Sequence, residues 1–243
     1  MAFYDSKVGK LFVAQYDLTN FVREVTPSFA REMRDVTVLG DSGRRQFPGI
    51  GDNKLSFAGL FDDGSAGSDV AVMSTLRDAS SATVISVFPG DTVLGNIGYA
   101  SGDGWAKAPE LKSRVGSMVE FESGEIDLGL CDRVKSLGPK LSVSVTTDGS
   151  SITDSASSSD GGKWVYHITA FSASGGNVRW QIVLEDSADN SNFATVGSES
   201  VDITAIGAAR RVFTGTLRQH VRLRVVLDAT SGTLEFFASY ERD

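Results

Sequence analysis

Three segments near the C-terminus alternate between apolar and polar residues, and nothing else in this 243-residue chain narrows its fold as far. Val178, Trp180, Ile182 and Leu184 fall on one side of an extended chain, with Arg179, Gln181 and Glu185 on the other. Val221, Leu223, Val225 and Leu227 alternate with Arg222 and Arg224; Leu234, Phe236, Ala238 and Tyr240 alternate with Glu235, Ser239 and Glu241. A period of two belongs to a pleated strand, whose successive side chains point to opposite faces. Residues 164–171 read as a further strand, so this part is expected to be an all-β sandwich with one face of each strand buried. Ahead of it, residues 146–162 are dominated by Ser, Asp, Gly and Thr, which suits a linker or surface loop. The expected division is therefore into two domains, 1–146 and 147–243, with the boundary somewhere within 138–162. Few buried contacts should cross such a linker, so the second domain is expected to be dispensable to the first.

The first part also reads as β, with one helix. Residues 11–14 form a short apolar run of strand length, and residues 17–20 look like a turn. Val36, Val38 and Leu39 suggest a strand broken by Gly40-Asp41 and Ser42-Gly43; Pro48-Gly49 and Gly51-Asp52 suggest a second reversal, after which Leu55, Phe57 and Phe61 reopen a strand. Residues 69–79 make the best helix, with Ser68 as N-cap, Asp69 in the first turn, and Val72, Leu76 and Ala79 at helical spacing. Thr83–Phe88 is β-branched and apolar, stopped by Pro89-Gly90. Residues 91–111, with Gly95, Gly98, Gly102 and Gly104, read as a long connection, and such connections tend to be functional or mobile. Strands are expected again over residues 114–121 and 126–130.

Charge and chemistry-bearing residues restrict the function. With 31 acidic against 23 basic residues the net charge is −8, which argues against a protein that wraps nucleic acid. Cys131 is the single cysteine, so an intrachain disulfide is excluded, and its apolar context suggests a partly buried small hydrophobe. No apolar run reaches signal-peptide or membrane-spanning length, so synthesis in a cytoplasm and no membrane partner are expected. His167 and His220, the two histidines, sit in strand patterns on the side opposite the apolar set and read as surface or interface residues. They offer no metal-ligand spacing, and no nucleophile-elbow pattern supports a triad. The acidic stretch at residues 185–192 has the oxygen-rich look of a calcium loop but lacks the ligand order and glycine of an EF-hand. Gly98, Gly102 and Gly104 do not follow a strand and open a helix as a phosphate loop must. No enzyme activity, cofactor or metal is expected.

The string DVTVLGDSGRRQFPGIGD at residues 35–52, followed by LSFAGLFDD at 55–63, resembles the tail-tube (major tail) proteins of long-tailed bacteriophages. The likeness lies in an acidic-threonine strand, a Gly-Asp turn, basic residues, a Pro-Gly turn and a strand running into an apolar-acidic end. DLTNFVREVTPSF at residues 17–29 fits the same pattern, so the likeness spans about the first half of the chain. It implies a tail-tube-like β-sandwich or barrel with one flanking α-helix. It also implies a virion subunit that forms hexameric rings stacked into a DNA-conducting tube. Its partners would be other copies of itself and the tape-measure, tail-terminator and distal-tail proteins, with genomic DNA only as passing cargo. Asp41, Arg44, Arg45, Phe47, Tyr99 and Trp105 are then the candidates for assembly contacts, and Glu120 and Glu122, on one strand face, for an acidic lumen wall. The C-terminal strings WVYHITAFSASGG, VRWQIVLEDSADNSNFATV and VFTGTLRQHVRLRVVLDATSGTLEFFASYER are similar to β-sandwich appendages at the C-termini of some phage tail proteins. Carbohydrate-binding jelly rolls share that look. The competing expectation is therefore a carbohydrate- or host-surface-binding module, with Trp105, Trp164 or Tyr99 stacking on sugar.

Overall fold

The computed structural model describes residues 9–38, 42–44, 46–64, 70–77, 80–107, 109–113, 117–154 and 157–243. Among them the chain forms seventeen strands and one short helix. The strands begin with β1 (Lys10–Val13), β2 (Tyr16–Asp17), β3 (Val22–Asp35) and β4 (Gln46–Leu60), followed by the helix at Val70–Arg77. Next come β5 (Thr83–Phe88), β6 (Ile97–Ala106), β7 (Glu110–Lys112), β8 (Glu120–Glu122), β9 (Ile126–Asp127) and β10 (Cys131–Ser136). The chain finishes with β11 (Leu141–Val143), β12 (Thr147–Asp148), β13 (Ile152–Thr153), β14 (Gly162–Ser187), β15 (Ala194–Ile203), β16 (Gly207–Phe213) and β17 (His220–Arg242). The mainly β class expected from the sequence is the class observed.

Contacts gather the chain into two compact units, and neither is a continuous stretch. One comprises Met1–Thr19, Val84–Ala100 and Asp132–Asp243; the other comprises Asn20–Thr83 and Ser101–Cys131. This differs from a division at 146/147. The reason lies in strand pairing: β10, β11, β12 and β13 all hydrogen-bond to β17. The polar stretch expected to be a linker is thus tied down within the first unit. Ile152 is buried there, and Asp154 holds Lys135 and accepts the Tyr240 hydroxyl at 2.9 Å.

The first unit is built on β14 and β17, of 26 and 23 residues, which pair antiparallel along almost their whole length. Register shifts between Ile168/Ala170 and Gly176/Arg179 bracket a bend. At the bend Gly175 and Gly176 take φ of +70° and +65°, open to glycine without strain. On the partner strand Gly232 pairs with Ala173, and a Cβ there would run into the Ser172 carbonyl oxygen. The two halves of the bent ribbon share one core: Trp164, Tyr166 and Ile168 belong to the same buried cluster as Trp180, Ile182 and Leu184. β16 flanks the first half and β15 the second. The alternation expected at residues 178–184, 221–227 and 234–240 is the inward-facing set of this sandwich except at Val178, which lies at the bend with φ of +48° and is 45 % exposed.

The first half of β14 is buried on both faces. Val165 and Phe237 turn away from the main core into a second one with Phe12 of β1, Phe88 of β5, Ala100 and Val134. Phe12 stacks on Phe237 at 4.5 Å between ring centroids, and Phe88 meets the same ring edge-on at 5.1 Å. His167 lies on this side and is fully buried, a correction to its reading as a surface residue. The alternation was right about its face; β1 and β5, distant in sequence, cover that face.

In the second unit β3 and β4 form a long hairpin, with register from Val22↔Gly59 to Asp35↔Gln46. Pro48-Gly49 does not reverse the chain as expected; it lies within β4 at a register shift between Arg31 and Met33. Proline cannot donate to a ladder, and a bulge tolerates it. The reversal falls between β3 and β4 instead, so Val36, Thr37 and Val38 lie past the strand end. β8 and β9 add to the body end of β4, and β6 and β7 extend them. The core holds Leu55, Phe57, Leu76, Phe121, Ile126 and Leu128. Residues 97–106, expected within a connection, form β6 despite their glycines. The helix is present but shorter than expected and wound as a π-helix. With eight residues it has too few turns to favour the α form by itself, and Val70, Val72 and Thr75 are β-branched. Ser68, Asp69 and Ala79, expected at its ends, lie outside the described residues.

Candidate functional site

The β3–β4 hairpin changes character along its length. Near the body, Leu55 and Phe57 of β4 are buried. From Asp52 outward to Gln46, β4 pairs with β3 and with no other strand among the described residues. Here residues 28–31 of β3 and Gln46, Phe47, Gly51 and Asp52 of β4 are all exposed. Phe47 is 67 % exposed and Phe29 44 %, with Val36 and Val38 exposed beyond the strand end. This is a lone two-stranded ribbon carrying apolar side chains, and such a ribbon is marginally stable in water without something to pack on.

At its end the Arg44 Nε donates to Asp35 Oδ2 at 2.9 Å, both side chains being largely exposed. The Thr37 hydroxyl and amide also bond the Asp35 carboxylate, and with Arg44 they hold its pKa below the ordinary value. Asp41 and Arg45, the other charged candidates of this turn, lie outside the described residues.

The remaining candidates scatter. Glu120 and Glu122 share a face of β8 on either side of buried Phe121, as expected, but each carries a counter-charge: Arg23 at 3.1 Å from Glu120 and Lys112 at 2.5 Å from Glu122. Tyr99 is half-buried in the first unit, whereas Trp105 lies on β6 in the second and is 45 % exposed. Trp164 is fully buried, its indole N–H donating to Glu199 Oε2 at 2.8 Å, so it cannot be a sugar platform. Cys131 is partly buried at the start of β10, as its context suggested.

Both histidines and the acidic loop are committed to structure. His167 Nδ1 lies 2.6 Å from the Ala14 carbonyl oxygen, which can only accept, so Nδ1 carries the proton. Nε2 then accepts from the Ser86 hydroxyl at 2.8 Å. Burial pushes this imidazole down to about 4, against the opposing pull of the Ala14 bond and the Asp17 charge. His220 Nδ1 pairs with the Thr153 hydroxyl at 3.0 Å. The acidic loop at 185–192 is the β14–β15 turn, and the Asp189 carboxylate accepts from the Asn192 amide and side chain, the Ser191 amide and the Ser187 hydroxyl. Those bonds hold its pKa well below the carboxylate range. Sequence reasoning missed a charged cluster at one end of the first unit. There Lys163 Nζ meets Asp243 at 2.8 Å, Glu241 at 3.3 Å and Asp132 at 3.4 Å, and Arg210 closes on Asp132 at 2.6 Å. Burial opposes the Lys163 charge, but the three carboxylates outweigh it and raise its pKa. No group of metal-ligating side chains occurs among the described residues, and no helix there is long and apolar enough to cross a membrane.

No family model and no curated protein sequence matches the chain. Solved structures similar to it include the following three. A chain from the virion of the native gene transfer agent particle is 18 % identical over 54 % of this chain and 98 % of its own, with a TM-score of 0.43. The SPP1 Dit protein, a paradigm of the hub adsorption apparatus in phages that infect Gram-positive hosts, is 14 % identical over 97 % of this chain and 100 % of its own, at 0.35. A chain of infectious bursal disease virus, Gx strain, is 11 % identical over 96 % of this chain and 58 % of its own, at 0.26. Scores and identities this low assign the chain no role.

Proposed function

We propose that this chain is a structural protein of a phage tail, assembled into the virion after synthesis in the host cytoplasm. Within that role it is a tail-tube subunit that forms hexameric rings, stacked into a tube, through contact with its own copies; ring closure removes the strand edges that would otherwise pair at random. The observation that carries the reading is the β3–β4 ribbon. Among the described residues its outer part pairs with no further strand, and residues 28–31, Gln46, Phe47, Gly51 and Asp52 are exposed. Phe47 is 67 % exposed, and its full burial against a neighbour would contribute about 1.5–3 kcal/mol. The resemblance of residues 17–63 to tail-tube proteins falls on this same ribbon.

The role is passive and includes no catalysis. A net charge of −8 disfavours adsorption of a passing duplex, and the field acts within about 8 Å of the wall at physiological salt. The acidic-stripe idea for Glu120 and Glu122 is not needed for this, since both are paired within the subunit.

Negative-stain microscopy and sedimentation velocity of the purified protein test the reading together. Rings or tubes are expected from the native chain, and Phe29→Asp with Phe47→Asp should reduce it to monomers with an unchanged circular dichroism spectrum. A native protein that stays monomeric at high concentration, or a double variant that still assembles, would refute it.

A further inference from the structure

The outer face of the second unit's sheet carries an aromatic residue that its fold does not use. Trp105 on β6 pairs directly with Asp127 on β9, and Asp127 pairs in turn with Lys54 on β4. On the neighbouring row Ala106, Ile126 and Leu55 face inward, so the core is closed without the indole. Asp103 lies two residues before Trp105 on the same face of β6 and is exposed, as is Asp127. Both the cross-strand and the same-face neighbour are within about 5–8 Å of the indole's root.

These residues border an open cleft of about 440 Å³, within the range of small-molecule sites. Leu130, 68 % exposed, gives it a second apolar surface. The Asn53 amide is held by its bond to the Gly129 carbonyl at 2.9 Å, and Asp127 Oδ1 accepts the Gly129 amide at 2.9 Å. Gly129 has φ of +54°, and a side chain there would press on Asp103. The cleft floor is therefore kept open by a residue that cannot readily be replaced. Asp127 Oδ2 and the Asp103 carboxylate accept no hydrogen bond among the described residues.

We propose that this cleft binds a neutral saccharide, with one pyranose lying on the Trp105 face and its hydroxyls donating to Asp103 and Asp127. A pyranose offers a flat C–H face and a rim of hydroxyl donors, and the cleft offers a flat apolar face with a rim of acceptors. Two like charges disfavour phosphate, nucleic acid and acidic sugars. A protein surface fits less well, because covering two carboxylates without donors leaves buried unpaired charge. The cleft is lined by Gly51 and Asn53 of β4 as well as by β6, β9 and the residues that follow β9, and Asn53 pairs with Phe29, so the proposal is kept separate from the tail-tube reading by its own residues, Trp105, Asp103 and Asp127.

The full-length protein should be titrated with cellotetraose, maltotetraose and N-acetylchitotetraose by calorimetry and by tryptophan emission. Trp164 and Trp180 are fully buried, so emission changes on binding report Trp105. At least one of the three sugars should bind saturably. Trp105→Ala should weaken that binding by calorimetry at least tenfold, Asp103→Asn with Asp127→Asn at least fivefold, and Trp105→Phe should retain part of it. Far-ultraviolet dichroism should be unchanged throughout. Binding by none of the three sugars, or binding that survives Trp105→Ala, overturns the proposal. So does an emission change that follows protein concentration instead of sugar, which would make Trp105 a contact between copies. Sedimentation of the same samples reads the assembly state separately, so failure here and failure of the tail-tube reading are distinguishable.

Discussion

His167 joins three segments that are far apart in sequence: Ala14 after β1, Ser86 in β5 and its own strand β14. Its folded pKa of about 4 lies below the ordinary 6.5, so the folded protein holds the neutral ring. The associated stability is complete above pH 6.5 and is lost as pH falls toward 4, where the unfolded chain takes up a proton that the folded chain refuses. The loss amounts to about 3 kcal/mol. Urea midpoints at pH 7, 5.5 and 4.5 should show this slope in the native protein and a flatter one in His167→Gln, whose amide has no proton to take up. Arg44 is the opposite case: its ion pair with Asp35 is exposed, and solvent screens such a pair until it contributes little to stability. Arg44→Ala should leave the monomer's melting curve in place, and any effect should appear in sedimentation of assembled material. The sequence made the strand face of His167 legible, but a period of two says which side a residue takes and not what lies there.

Among the elements, the bent β14–β17 ribbon has the more demanding geometry. Gly232 sits where a Cβ would overlap the Ser172 carbonyl oxygen, so Gly232→Val should cost about 1–3 kcal/mol, measurable as a lowered thermal midpoint. The four strand patterns of the C-terminal part were readable because each half of the ribbon buries one regular face in the sandwich. They were not readable as two continuous strands, since the bend at Gly175-Gly176 looks like a loop in one dimension. Pro48-Gly49 and the glycines of β6 misled in the same direction. Turn residues within a strand are explained by bulges and close approaches, which only the partner strand reveals. The ribbon of β3 and β4 was legible as a hairpin, but its length was not.

For the whole molecule, the two units are threaded through each other in sequence, with the chain passing between them at 19/20, 83/84, 100/101 and 131/132. Removing residues 147–243 would take away β14 and β17, on which β10 and β11 pair and against which Phe12 and Phe88 pack. The expectation that the first 146 residues stand alone therefore gives way to its opposite. A chain ending at Thr146 should be insoluble, or soluble with residues 1–19 and 84–100 open to protease. A protease-resistant fragment containing those residues would contradict this. Nothing in the composition of residues 1–19 shows that their partners arrive so much later in the chain.

That threading sets a timetable during vectorial synthesis. The second unit ends at Cys131, so all of its residues have been joined while residues 132–243, among them β14 and β17, are still to be added. β1 emerges first but must wait for Phe237, near the end, before its buried face is closed. Such distant pairings are slow to form, and exposed strands are prone to misassociation in the interval. The nascent chain thus carries a finished unit beside an unfinished one, and its earliest strand is among the last to find shelter.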